Sequence, residues 1–123
     1  MKMGRWLTGI GSVILFLTGI GHGTRIAQLQ TMIVDSGMKA PLDAILKGCW
    51  LVFSGEMLAL AVIAVVASRL ERGGSIVLIC AVTMIANAAL LLYFVGLFFG
   101  VYVSAVVALF FLAGGGLQIK KTA

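Results

Sequence analysis

The residue in this chain best suited to chemistry is Glu56, an acid within the otherwise charge-free run from Gly48 to Ser68. An unpaired charge in hydrocarbon costs several kcal/mol, so such a carboxyl pairs with a neighbour or holds a proton that it can also exchange. Asn87 is its natural partner. Glu56 lies eight positions after Gly48 and Asn87 eight before Val95, which places both about 12 Å from the same end of their runs at 1.5 Å per residue. His22 and Arg25, in the segment Gly-His-Gly-Thr-Arg, are neighbours on a helix and together fit an anionic headgroup or carboxylate. Thr18, Ser54 and Ser104 add hydroxyls to the same half of the chain, and Cys80, Thr83 and Asn87 make a polar stripe at helical spacing. Glu56, His22 and Asn87 are therefore the candidate acid–base set. Arg25, Trp50, Thr18, Thr83, Tyr93, Tyr102 and Ser104 are the candidate ligand contacts, around a pocket open toward one face. Each has a plainer role: Glu56 and Asn87 can simply join two helices, at about 0.6 kcal/mol on average, and His22 and Arg25 can reach to interfacial water.

Other chemistries find no residues to carry them. The sequence holds no P-loop, dinucleotide fingerprint, Ser-His-Asp set or paired carboxylates. One histidine makes no bis-His haem site, and no Cys-His spacing suits zinc, so neither a metal nor a cofactor is expected. Cys49 and Cys80 fall at depths differing by roughly 20 Å, beyond disulfide reach; free thiols used as small packing residues are expected.

The elements that must position these groups follow from composition. Of 123 residues 62% are hydrophobic and only 11% charged, with a mean hydropathy of +1.18, more apolar surface than a soluble domain of this size can hide. Four apolar runs, about 6–22, 48–68, 75–94 and 98–117, each approach the roughly 20 residues that cross a bilayer. An all-α integral membrane protein results: one antiparallel four-helix bundle with a polar, partly helical loop over 23–47. In that loop Ile26, Leu29 and Ile33 recur at helical spacing, Asp35, Ser36 and Gly37 break the pattern, and Pro41 suits the first turn of the next helix. Met1 to Gly23 has the basic start and apolar run of a signal peptide but no small-x-small cleavage pattern, so it is expected to remain.

The net charge of +5 is a topology signal and not a nucleic-acid patch. Lys2, Arg5, Arg69, Arg72, Lys120 and Lys121 collect on one side, against Arg25, Lys39 and Lys47 on the other. The positive-inside rule puts both termini in the cytoplasm, in a plasma membrane of bacterial inner-membrane type. Trp50, Tyr93 and Tyr102 then mark the outer boundary and Trp6 the inner one. Small residues give packing seams, at Gly19 and Gly23, at Gly48, Gly55 and Ala59, and at Ser104 and Ala108. The inner half reads as apolar packing and the outer half as the polar one.

In size, and in carrying one membrane-buried glutamate, the chain resembles the small multidrug resistance transporters. Their essential glutamate lies in the first helix, whereas the first run here holds none. The run from Arg5 to Gly21 is similar to small four-helix bacterial membrane proteins of the DoxX type, a pattern too general to assign residues. Three functions fit what the residues offer, and whether the chain is an enzyme is left open by them. The first is binding or converting a hydrophobic small molecule (isoprenoid, quinone or lipid-like) in the outer-half pocket, with Glu56 as proton donor or acceptor. The second is service as a non-catalytic accessory subunit of a larger membrane complex, and the third is proton-coupled transport by a homodimer.

Overall fold

A computed structural model describes residues 2–120; Lys121, counted above among the basic residues, lies outside the described residues. Within them the chain folds as five helices: α1 (Lys2–Thr24), α2 (Ile26–Asp35), α3 (Leu42–Arg69), α4 (Gly74–Val95) and α5 (Phe99–Ile119). All but α2 are long and apolar enough to cross a membrane. The apolar runs thus became helices, each extended at one or both ends by residues that tolerate the interface. The extension is largest in α3. It starts after Pro41, carries Asp43 in its first turn, where a negative charge faces the helix's positive end, and pairs that carboxylate with Lys47 one turn on (3.4 Å).

Glycine closes the two elements that lead away from these helices. Gly96 ends α4 at φ +89°, a left-handed conformation that side chains resist, and its N–H donates to the Leu91 and Leu92 carbonyls. Gly37, at φ +66°, does the same after α2, followed by Met38 N–H donating back to Ile33. In α2 the expected apolar spacing is used: Leu29 and Ile33 are buried while the residues between them are exposed.

α1 packs along both α3 and α5, α4 packs along α5, and α3 and α4 meet over a shorter stretch. One end of the molecule gathers the start of α1, the end of α3, the start of α4 and the end of α5. There Arg5 Nε donates to the Ser68 carbonyl (3.0 Å) and Arg5 Nη2 to that of Arg69 (3.4 Å), a cation satisfying the carbonyls that the end of α3 leaves free. The core runs through Leu15, Met57, Ala61, Ala64, Val77, Ala81, Met84, Val107, Ala108 and Phe111. Outward faces are as apolar as the core: Val13, Val52, Val62, Ile79 and Leu109 are all more than half exposed, which only a hydrocarbon solvent makes stable.

Two expectations about packing change. The basic end is not purely apolar inside. Thr8 and Gln118 are buried there and bonded to each other (3.3 Å), with Gln118 Nε2 also donating to the Gly114 carbonyl (3.2 Å) and Thr8 Oγ1 to that of Gly4 (3.0 Å). Of the three small-residue seams, Gly19 meets Met57 and Leu58, Gly23 meets Ser54, and Ser104 and Ala108 are buried. The seam on α3 has no partner among the described residues. Gly48 and Gly55 face open space and Ala59 is exposed.

Candidate functional site

At the end opposite the basic residues the four long helices enclose a cavity of about 880 Å³. Its walls are mostly apolar: Leu15 from α1, Phe53 and Met57 from α3, Leu91 and Val95 from α4, and Phe98, Phe99 and Val103 from the α4–α5 turn and α5. The α4–α5 turn and the restricted contact between α3 and α4 leave this space unfilled. Polar groups enter it at two levels. His22 and Arg25 stand where α1 ends, while Thr18 lies one turn further in and Ser104 lies five residues into α5, about 8 Å along that helix.

The histidine is held from three sides. Its ring stacks on Trp50 with centroids 3.8 Å apart and an interplanar angle of 17°, and Phe53 meets its edge at 5.4 Å. Trp50 Nε1 donates to the His22 carbonyl (2.7 Å), which ties α3 to the last turn of α1. Ser54 Oγ donates to the Trp50 carbonyl (2.9 Å) and lies 2.8 Å from His22 Nδ1. When Ser54 gives its one hydroxyl proton to that carbonyl it accepts the Nδ1 proton, and Nε2 of a neutral ring is then an acceptor.

Two lining groups are unpaired, one exposed and one buried. Among the described residues the Arg25 guanidinium has no hydrogen-bond or ion-pair partner, and neither has the Ser104 hydroxyl, although Ser104 is only 4% exposed. A hydroxyl in a membrane helix ordinarily bonds the carbonyl one turn back, as the half-buried Thr18 does with Ile14 (2.7 Å) and Thr83 with Ile79 (3.1 Å). Ser104 does not, and among the described residues neither does Ser12 in the core. The cavity thus combines mostly apolar walls with an unpaired cation at its rim and an unpaired hydroxyl deeper in.

The structure divides the sequence-derived site residues into groups. His22, Arg25, Trp50, Thr18 and Ser104 come together around the cavity. Glu56 and Asn87 come together elsewhere: Asn87 Nδ2 donates to Glu56 Oε1 (3.1 Å) across the α3–α4 contact, and neither is among the lining residues. Thr83, Tyr93 and Tyr102 are not in the lining either, and the two tyrosines are 82% and 55% exposed. Cys49, an exposed thiol, does line the cavity, and Cys80 is a buried one. Phe53, Met57, Leu91 and Val103, all part of the wall, carried no sequence signal beyond their hydropathy.

Compared with protein-family models, curated proteins and solved structures, the chain matches none.

The Glu56–Asn87 bond makes one expectation concrete. Asn87→Leu removes the donor and should lower stability by about 0.6 kcal/mol, up to about 1.7 kcal/mol, the range for hydrogen bonds between membrane helices. Glu56→Gln keeps the acceptor oxygen and should cost less. Denaturant unfolding in detergent micelles, followed by helical circular dichroism, measures both; a costlier Glu56→Gln would mean that the acid itself is required.

Proposed function

We propose that this chain is an antiparallel four-helix protein of the plasma membrane, both termini cytoplasmic, that binds a lipid-like small molecule with an anionic head in its outer-half cavity. The orientation rests on Lys2, Arg5, Arg69, Arg72 and Lys120 at one end, opposed there only by Glu71. The observation that carries the binding reading is a pair of unpaired polar groups in a mostly apolar space, the exposed Arg25 at the rim and the buried Ser104 within. Arg25 supplies charge to the head, with His22 Nε2 beside it as an acceptor for a protonated group. Ser104 takes a carbonyl or hydroxyl further along the ligand, and the aromatic and aliphatic walls take its body. Glu56 and Asn87 join α3 to α4 near the depth of Met57, which keeps the wall between those helices closed; a proton-exchanging role for Glu56 would require the bond to Asn87 to open.

A second reading, a subunit of a homo-oligomer or larger membrane complex, is favoured by the α3 seam. Gly48, Gly55 and Ala59 form a face on which nothing among the described residues packs, and such faces allow close helix approach. The two readings are compatible, because that seam contributes no residue that the head-binding argument uses.

The test of the first is a titration of the chain in phosphatidylcholine nanodiscs with a dansyl-labelled long-chain carboxylate and with its neutral amide. The carboxylate should bind more tightly, and Arg25→Gln should reduce its affinity about tenfold, the 1–2 kcal/mol that a desolvated charge-assisted contact contributes, while leaving the amide unaffected. Equal affinities in the unaltered chain would remove the anionic head from the reading.

A further inference from the structure

A second depression lies at the basic end, on the outward face between α1 and α3, about 770 Å³ in volume. Arg5 and Arg69 stand at its polar end with Trp6 beside them, and Gly9, Val13 and Val65 continue it toward the middle of the helices. From Arg5 to Val13 it extends about 12 Å along α1. Its depth comes from Gly9, where a side chain would meet nothing within 4 Å. Arg5 already spends Nε and Nη2 on the end of α3, which fixes its guanidinium in place with Nη1 uncommitted. Arg69 is exposed and its guanidinium has no partner among the described residues. Glu71, two positions on, pairs with neither; the ion pair among the described residues is Lys47–Asp43 at the other end.

We infer that this groove is a binding site for an anionic phospholipid of the surrounding bilayer, its phosphate between Arg5 and Arg69 and one acyl chain laid over Gly9 against Val13 and Val65. A groove between membrane helices, apolar along its length and doubly cationic at the interface, complements a lipid that is anionic at one end and apolar along the other. A zwitterionic lipid fits the apolar part equally but brings a choline cation to the two arginines. Trp6, 73% exposed, sits at the headgroup level where its indole prefers to be. The site is separate from the cavity: none of its lining residues is shared.

The test counts lipids bound to the delipidated full-length chain in detergent by native mass spectrometry, with dioleoyl phosphatidylglycerol and dioleoyl phosphatidylcholine titrated separately. Phosphatidylglycerol should bind about tenfold more tightly. Arg69→Gln should cut that preference about fivefold, the effect of one basic residue at a membrane surface, without changing phosphatidylcholine binding. Gly9→Leu, whose Cβ would meet nothing within 4 Å, puts bulk into the groove and should weaken both lipids. Lys39→Gln removes a cation from the opposite end and should change neither. Equal binding of the two lipids, a preference that survives both Arg69→Gln and Gly9→Leu, or an equal loss in Lys39→Gln, would each overturn the assignment.

Discussion

Gly114→Leu should be strongly destabilising, and Gly116→Leu, two residues on, should be tolerated. A Cβ on Gly114 would fall directly on Thr8 Oγ1, 2.9 Å from the Gly4 carbonyl oxygen and 3.0 Å from the Thr8 nitrogen. Two of those three atoms are backbone, so α1 and α5 must separate to admit it. Overpacking of this kind typically costs 1–3 kcal/mol. The displaced Thr8 hydroxyl adds to it, because Thr8 donates to Gly4 and accepts from Gln118 in a place without water, and each buried group left unpaired costs about 1–3 kcal/mol. Leucine's better helix propensity returns only about 1 kcal/mol. A net loss of several kcal/mol is a large share of the stability of a small domain. At Gly116 a Cβ meets nothing within 4 Å, so the same substitution keeps the propensity gain and adds lipid-facing surface. Unfolding midpoints of the two variants in the same micelles decide the matter; equal values would mean that α1 and α5 do not approach at Gly4 and Gly114.

The same comparison explains what could be read from the sequence. That four helices are long and apolar enough to cross a membrane follows from each run alone, since length and hydropathy are properties of a segment taken by itself. The depth match of Glu56 and Asn87 also follows by counting along the chain, and the two are hydrogen-bonded. What counting does not give is rotation about the helix axis. α4 and α5 are apolar on nearly every face, so nothing in their sequence says whether Tyr93 and Tyr102 turn inward, and both lie outside the cavity lining. The Thr8–Gln118 bond links residues 110 positions apart and becomes visible only once α1 is known to lie against α5. Small-residue seams carry a different ambiguity, for Gly19 and Gly48 look alike in sequence although one is packed on α3 and the other faces open space.

His22 illustrates the part of the site that was legible for an incomplete reason. Its closeness to Arg25 is a matter of spacing, but its fixed ring depends on Trp50, Phe53 and Ser54 arriving from α3. These three recur at positions 50, 53 and 54, the spacing of one helix face, so a single side of α3 supplies the stacking ring, the edge contact and the hydroxyl. The opposite consequence holds for Glu56, which sits only two positions beyond Ser54 and is thereby turned about 200° away, toward Asn87 instead of toward His22. One helix rotation thus separates the carboxylate from the imidazole that depth alone would have joined.

Gly21→Phe should abolish most of the ligand affinity while leaving the bundle as stable as before. Gly21 lines the cavity, and a Cβ there meets nothing within 4 Å; a phenyl ring at that position projects into the space an amphiphile's body would use. Gly19, one step of about 200° around the same helix, is the contrasting case: its Cβ would lie 3.1 Å from two atoms of Leu58 and 3.2 Å from Met57 Cβ, so the packing cost and the cavity effect fall on different residues. Replacing glycine within a helix gains roughly 0.5–1 kcal/mol in backbone entropy, which makes a loss of affinity in Gly21→Phe hard to attribute to unfolding. The expected result is at least a tenfold loss for both the dansyl carboxylate and its neutral amide, because bulk excludes the body regardless of the head. Arg25→Gln, by contrast, should discriminate between the two probes. Undiminished affinity in a folded Gly21→Phe chain would place the ligand outside the cavity, whatever Arg25 then contributes, and a loss confined to the carboxylate would mean that the head alone enters.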